Sequence, residues 1–435
     1  MSYILNLIYV CAAIAYTPFL LYAALTKGKY RGGWTQKLFG LIPRREGNLP
    51  CVWLHGVSVG EINLLVGIVS QLEERYPQIE CVISSTTRSG YGLAKQKFEG
   101  RHVFYCPLDF SWAVKNAIRR IRPNVLMLGE LELWPNLINQ AHRQSVNVAI
   151  VNARLSQNSF AGYRRIRPII RSVITQIALI VAQTDEYAMR FRSLGANESS
   201  VVVAGSVKFD GASSNRNNGT TTELARLASI NPTDIIFLAG STQHPEEELA
   251  LNVFLDLADA HPDLKLIIVP RHPERFESVA KMLQQQDVRF ARRSQLPNTK
   301  SQDSRILLVD TIGELGAWWG TANIAFVGGS MGDRGGQNMI EPSAYGAAVS
   351  FGPNTKNFRD VVQQLRDRDA AVVVNDAVEL KQFVERCLRD PTWMNQMGQR
   401  AKALVDKNRG ALERTVRSLA PLIERHIDVT LRRSA

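Results

Sequence analysis

Cysteine is scarce and unpaired in this sequence: Cys11, Cys51, Cys81, Cys106 and Cys387 are an odd five, with no Cys-x-x-Cys spacing. That argues against a disulfide framework and a thiolate zinc site. No His/Cys/Asp cluster has metal-ligand spacing. No GxxxxGK[ST] segment exists and no GxGxxG lies in the first strand-to-helix turn, so phosphate-loop ATPases and the usual dinucleotide enzymes fall away. Basic residues are not interleaved with aromatics as in single-strand binders, which argues against nucleic acid. Internal repeats and low-complexity tracts are missing too. Acid is in short supply: 40 Asp and Glu stand against 52 Lys and Arg, a formal net charge of +12, so an anionic partner or substrate is expected. What remains is an ordinary globular composition, 45% hydrophobic and 21% charged over 435 residues, enough for two domains.

Long apolar runs are also rare. One uncharged stretch, residues 3–26, approaches membrane-spanning length. In a helix roughly 20 apolar residues cross a hydrocarbon core, so 1–26 are expected to form a membrane anchor. Tyr3, Tyr9, Tyr16 and Tyr22 place rings near both ends, as an interfacial belt does, and Pro18 is a candidate kink. No Lys or Arg precedes the run, and it is too long for a signal-peptide core. The alternative is a helix lying in the interface or docked on the protein itself. Lys27, Lys29, Arg31, Lys37, Arg44 and Arg45 follow, with no acid before Glu46. Residues 27–49 thus read as a basic juxtamembrane segment on the cytoplasmic side, facing anionic lipids.

From residue 50, short apolar runs alternate with helical stretches. CVWLHGVS, CVISST, HVFYCPL, NVLMLGE, VNVAIVNA, ALIVAQT and SVVVAGS predict βαβ units and a parallel sheet over 50–210. GASSNRNNGTTTE, 211–223, has one Ala as its only apolar residue and reads as a linker. The rhythm restarts over 224–435 with DIIFLAGS, LKLIIVP, ILLVDT, IAFVGGS, AAVSFGP and AAVVV. Basic amphipathic helices near 379–388 and 393–427 close the chain and are expected to pack back across the domains.

In an open α/β sheet, ligands bind beyond the carboxyl ends of the strands. His55-Gly56-Val57-Ser58-Val59-Gly60-Glu61 ends the first strand and opens a helix, where free N–H groups favour an anion. Glu61 is a candidate catalytic carboxylate; its plainer reading is an acid that stabilises a helix N-terminus. Glu130 and Glu132, in Gly129-Glu130-Leu131-Glu132-Leu133-Trp134-Pro135-Asn136, carry the same two readings. In the second half, Pro270-Arg271-His272-Pro273-Glu274-Arg275 offers a guanidinium for a phosphate or a solvated turn. Asp310-Thr311-Ile312-Gly313-Glu314-Leu315 offers polar contacts or merely a helix cap. Gly328-Gly329-Ser330, Gly335-Gly336-Gln337-Asn338 and Glu341-Pro342 form a glycine-rich stretch suited to a phosphate or to ribose hydroxyls. Together, at successive strand ends of one domain, these argue for a nucleotide site. Asp367-Arg368-Asp369 is placed in a charged helix and reads as a solvated face.

Taken in order, the motifs resemble those of the Kdo (3-deoxy-D-manno-octulosonic acid) transferases of lipopolysaccharide biosynthesis. The matching stretches are the apolar amino terminus, His55–Glu61, Glu130–Asn136, Asn152-Ala153-Arg154-Leu155-Ser156, Gly205–Asp210, Gly240-Ser241-Thr242, Pro270–Phe276, Asp310–Gly316, Gly328–Pro342 and Phe351-Gly352-Pro353. The resemblance implies a GT-B fold: two Rossmann-like α/β domains facing a cleft, with an N-terminal membrane-anchor helix. It implies a metal-independent, cofactor-free, inverting transfer of Kdo from CMP-Kdo to a lipid A precursor (lipid IVA), on the cytoplasmic side of the inner membrane. By motif, Glu61 is the general base, and Glu130 and Lys208 stabilise the transition state. Pro270, Arg271, Ile312, Gly313, Glu314, Asn338, Met339, Ile340 and Glu341 match the CMP-binding segments. The sequence departs from the family where GGHNPLEP is usual: Gln337 stands for His and Met339 for Pro. The alternatives are another GT-B sugar-nucleotide enzyme, such as a different membrane-associated glycosyltransferase or an epimerase, and an inactive membrane-tethered nucleotide-binding scaffold. An epimerase would need no anchor, and a scaffold would have no use for Glu61 and Arg271.

Overall fold

Strands rich in Val, Ile and Leu alternate with amphipathic helices and build two parallel seven-stranded sheets. The computed structural model describes residues 2–27, 32–296 and 304–434. Two units result: Met1–Asp210 with Arg409–Ala435, and Gly211–Asn408. In the first, β1 (Cys51–His55), β2 (Glu80–Ser85), β3 (Val103–Tyr105), β4 (Val125–Gly129), β5 (Asn147–Ala153), β6 (Leu179–Ala182) and β7 (Val201–Val203) take the order 3-2-1-4-5-6-7. Helices on both faces bury these strands on two sides, which is why they read as continuous apolar runs. The helices used below are α1 (Ser2–Lys27), α2 (Trp34–Phe39), α3 (Val59–Arg75), α4 (Arg88–Lys97), α5 (Ser111–Ile121) and α6 (Pro135–Arg143). Strand order reverses between β1 and β4, so a crevice is expected at their carboxyl ends, His55 and Gly129.

In the second unit, β8 (Ile235–Thr242), β9 (Leu264–Pro270), β10 (Ala291–Arg292), β11 (Ile306–Leu308), β12 (Ile324–Val327), β13 (Ala348–Phe351) and β14 (Ala371–Val373) take the order 10-11-9-8-12-13-14. The reversal here falls between β8 and β12. The polar stretch expected as a linker is fastened to this unit. Arg216 donates to the carbonyls of Tyr345, Gly320 and Ala322 at 2.8, 2.9 and 2.7 Å, and Asn218 caps the helix Gly219–Leu227. The basic carboxy-terminal run is two helices broken at Gly410, which has φ 75°. Pro391–Asn408 puts Met394 and Met397 into the second unit's core, whereas Ala411–Ser434 lays Val416, Leu419 and Ile423 on the first unit's sheet. Asp367-Arg368-Asp369 is a turn rather than a helix: it follows the helix Arg359–Arg366, and Asp369 has φ 49°.

The amino terminus differs from expectation. Residues 3–26 do lie in one helix, α1, but no described helix is long and apolar enough to cross a membrane. Its first turns are docked on the first unit, as in the alternative reading: buried Asn6 and half-buried Tyr9 make polar contacts with α5, α6 and Asp109. Lys29 and Arg31 of the basic cluster lie outside the described residues, as do the side chains of Tyr16, Pro18, Tyr22 and Lys27.

Candidate active site

At the reversal point of the first sheet, Ser58 caps α3 and Glu61 sits in its first turn, almost fully buried. The Ser58 hydroxyl accepts from the Glu61 N–H at 3.2 Å and donates to Glu61 Oε1 at 2.7 Å, while Val57 N–H donates to Oε2 at 2.9 Å. This is a capping box with the acid reaching one residue further back than usual. The helix-cap reading of Glu61 is thus structurally true, and it leaves the carboxylate at the crevice. Gly56 permits this, since a Cβ there would lie 3.1 Å from Glu61 Cβ. Burial raises the Glu61 pKa and the charge of Glu130 adds to the rise, against the lowering by Val57 and Ser58. A carboxylate so placed is a stronger base than one in water.

Glu130 follows β4 in a left-handed conformation, φ 51°, with its N–H on Val151 O at 3.0 Å. Such a conformation costs a non-glycine residue about 1–3 kcal/mol and is retained where the surroundings enforce it. Its carboxylate meets Lys208 Nζ at 3.0 Å and Arg154 at 3.6 Å. Lys208 rides on the 3-10 turn Val207–Phe209, which Asn152 holds by accepting from Val207 N–H at 3.1 Å. Asn152 is fully buried, has φ 53°, and its Nδ2 has no partner among the described residues. Glu61, Glu130 and Lys208 are therefore brought together, and Arg154 and Asn152 join them. Both lie in the Asn152–Ser156 segment, but their partners come from distant strands. Glu132 turns to Trp134, whose Nε1 donates to it at 2.6 Å, and burial raises it to about 7 with help from the Glu61 and Glu130 charges. His55, fully buried and 2.9 Å from Ser84 Oγ, is lowered to about 4 and stays neutral.

In the second unit the expected nucleotide residues line successive strand ends, in unequal condition. Arg271 is exposed just past β9, and its charge acts on Glu341. Asn338 Nδ2 donates to Glu341 Oε1 at 3.0 Å, and burial raises the Glu341 pKa despite both neighbours. Ile312 is 77% exposed and Gly313 has φ 87°. Glu314 is already committed: Arg293 binds it through two hydrogen bonds of 2.9 and 2.7 Å, and Thr311 and Trp318 donate to it as well. Pro270, Met339 and Ile340 are buried, Met339 entirely, and the Ile340 N–H already donates to Asn338 Oδ1 at 3.1 Å. Asp310 is not a helix cap but pairs with Arg292 and Ser294.

One expectation is overturned. The amides of Gly328-Gly329-Ser330 do not form a phosphate cradle, because Glu246 occupies those of Gly329 and Ser330 and the Gly328 N–H donates to Gly240 O at 2.9 Å. This carboxylate, 1% exposed, accepts from the N–H groups of Gln243 (2.9 Å), Gly329 (2.7 Å), Ser330 (2.9 Å) and Met331 (2.9 Å). Gly328 is required by the same approach, since a Cβ there would lie 2.7 Å from Glu246 Oε2. The acidic run at 246–248 hides this role in the sequence.

Residues 32–211 match the family model described as 3-deoxy-D-manno-octulosonic-acid transferase (kdotransferase). A 3-deoxy-D-manno-octulosonic acid transferase of Haemophilus influenzae is 34% identical over 392 residues, covering 88% of this chain and 90% of that protein. The chain belongs to the Kdo transferase family. A second such transferase, from Bordetella pertussis, is 32% identical over 384 residues, covering 85% and 86% of the two chains. Among solved structures, the UDP-GlcNAc 2-epimerase from Neisseria meningitidis bound to UDP-GlcNAc matches with a TM-score of 0.54 at 13% identity, covering 86% of this chain and 100% of that one. That likeness shows the fold alone, a two-unit α/β architecture of the GT-B kind. This Kdo transferase is a glycosyltransferase, and its first unit carries an acid, a cation and a second acid at one strand reversal.

Proposed function

We propose that this enzyme moves Kdo from CMP-Kdo to a lipid A precursor, lipid IVA, with inversion, at the cytoplasmic face of the inner membrane. The observation that carries the reading is the buried Glu61 carboxylate beside the Glu130–Lys208 pair. The acceptor hydroxyl replaces the Ser58 hydroxyl on Glu61 Oε1. Its oxygen attacks the anomeric carbon of Kdo as the bond to the CMP phosphate breaks, and Glu61 takes its proton. CMP leaves with the bonding electron pair and needs no general acid. Lys208, fixed by Glu130, offers a positive charge where negative charge develops, without reorganisation at the moment of reaction. Arg271, Ile312, Gly313, Asn338 and Glu341 hold CMP, with Arg271 toward the phosphate, while Glu314, Met339 and Ile340 shape the loops that carry them.

The acceptor is a phosphorylated lipid, and a net charge of +12 suits it. Tyr3, Ile4, Leu7, Ile8, Val10 and Ile14 are exposed along α1. We place this face in the headgroup region of the inner membrane, as an interfacial helix rather than a spanning one. Incubation with CMP-Kdo and lipid IVA tests the reading: CMP release coupled to a Kdo-bearing lipid supports it, and CMP release without a lipid product counts against the acceptor.

A further inference from the structure

The start of α1 is arranged with its polar residues inward. Ser2, Leu5, Asn6 and Tyr9, spaced as one helix face, turn toward the first unit, while Tyr3, Ile4, Leu7, Ile8 and Val10 are exposed. A helix docked by apolar burial alone would do the reverse. Asn6 is 8% exposed; its Nδ2 donates to Ser111 Oγ at 2.7 Å, and its Oδ1 accepts from Ser111 N–H at 3.0 Å and from Asn136 Nδ2 at 3.2 Å. The Tyr9 hydroxyl donates to Asp109 Oδ2 at 3.0 Å. Asp109 in turn accepts from the N–H groups of Asn136 at 3.0 Å and Leu137 at 2.8 Å, and its carbonyl accepts from Asn136 Nδ2 at 2.7 Å.

Neither α5 nor α6 is capped by its own N-cap side chain, since those positions are Phe110 and Trp134. Asn6 therefore caps α5 from another helix, and Asp109, held by Tyr9, caps α6. Because α6 begins directly after Trp134, the same network pins the far end of the segment that carries Glu130 and Glu132. Asp109 is 4% exposed and Asn136 is fully buried, so each lost donor leaves a polar group without water to replace it.

We propose that Asn6 and Tyr9 are positioning residues for Kdo transfer: docked α1 fixes the start of α6 and, through it, the acidic segment Glu130–Trp134. This rests on the reading of Glu130 given above. Neither residue touches substrate; both act through Asn136 and Asp109.

The test uses the full chain carrying Asn6→Ala or Tyr9→Phe. Hydrogen exchange is followed at the amides of Asn136 and Leu137, and transfer is measured on detergent-dispersed acceptor. Each variant is expected to exchange faster there by about tenfold, with second-unit amides unchanged, and to lose about tenfold in kcat with the donor KM unchanged. Wild-type exchange at these two amides overturns the proposal. So does faster exchange with undiminished kcat, or a fall in kcat accompanied by faster exchange throughout the chain. The exchange arm needs no turnover, so a wild type that transfers no Kdo sinks the activity reading and leaves this inference to be decided by exchange.

Discussion

Glu61 has an observed duty and a proposed one that compete for the same oxygens. As the acid of a capping box it stabilises α3, and as the proposed base it must release Ser58 and accept a proton. Glu61→Ala is expected to lower kcat/KM by roughly 10²–10⁴-fold, the usual worth of a positioned base, while CMP affinity survives. Steady-state kinetics with parallel calorimetry of CMP binding checks both halves. The base works only when ionised and its pKa is raised, so kcat/KM should fall on acidification with a midpoint above the ordinary carboxylate range. Glu132 makes a separate pH prediction, in stability. Its folded pKa of about 7 lies above the usual 4.5, so the folded chain holds that proton more tightly than the unfolded one. Its contribution is full below about 4.5 and is lost as pH rises through about 7. A glutamine amide does not ionise, so Glu132→Gln should remove that loss. Its Tm, relative to wild type, should therefore rise between about pH 5 and about pH 7.5, read by calorimetry across that range.

At the scale of elements, the strand-end loops divide into those proposed to meet substrate and those that hold the fold. The loop after β12 belongs to the second kind because Glu246 fills its amides. Glu246→Leu strands four backbone donors. It should destabilise the second unit by at least about 3 kcal/mol, read from denaturant unfolding, and loosen CMP binding with it. Glu246 shows why sequence legibility stops where it does. Alternating strands and helices, the two parallel sheets and the strand-end position of Glu61, Glu130 and Arg271 are local patterns, and local patterns can be read from sequence. The carboxylate that takes the amides of a loop more than eighty residues away is not local, and neither is the hold of Asn152 on the Lys208 turn. The apolar amino terminus reads as a span for the same reason: hydropathy counts residues, whereas the partners of Asn6 and Tyr9 lie a hundred positions on.

For the whole molecule, the proposed membrane face and the proposed chemistry are separable. Leu7→Ser with Ile8→Ser should weaken binding to anionic vesicles, measured by co-sedimentation, because apolar area and electrostatic attraction both contribute to interfacial binding. Binding equal to wild type would remove α1 from the membrane contact. The central claim is that a base at Glu61 drives transfer of Kdo to a phosphorylated lipid. The most direct test is mass spectrometry of lipid IVA after incubation with CMP-Kdo and either wild type or Glu61→Ala. The account predicts Kdo-bearing lipid with wild type and at least about a hundredfold less with the variant over the same initial-rate incubation, although both bind CMP. Equal product from the two would contradict it.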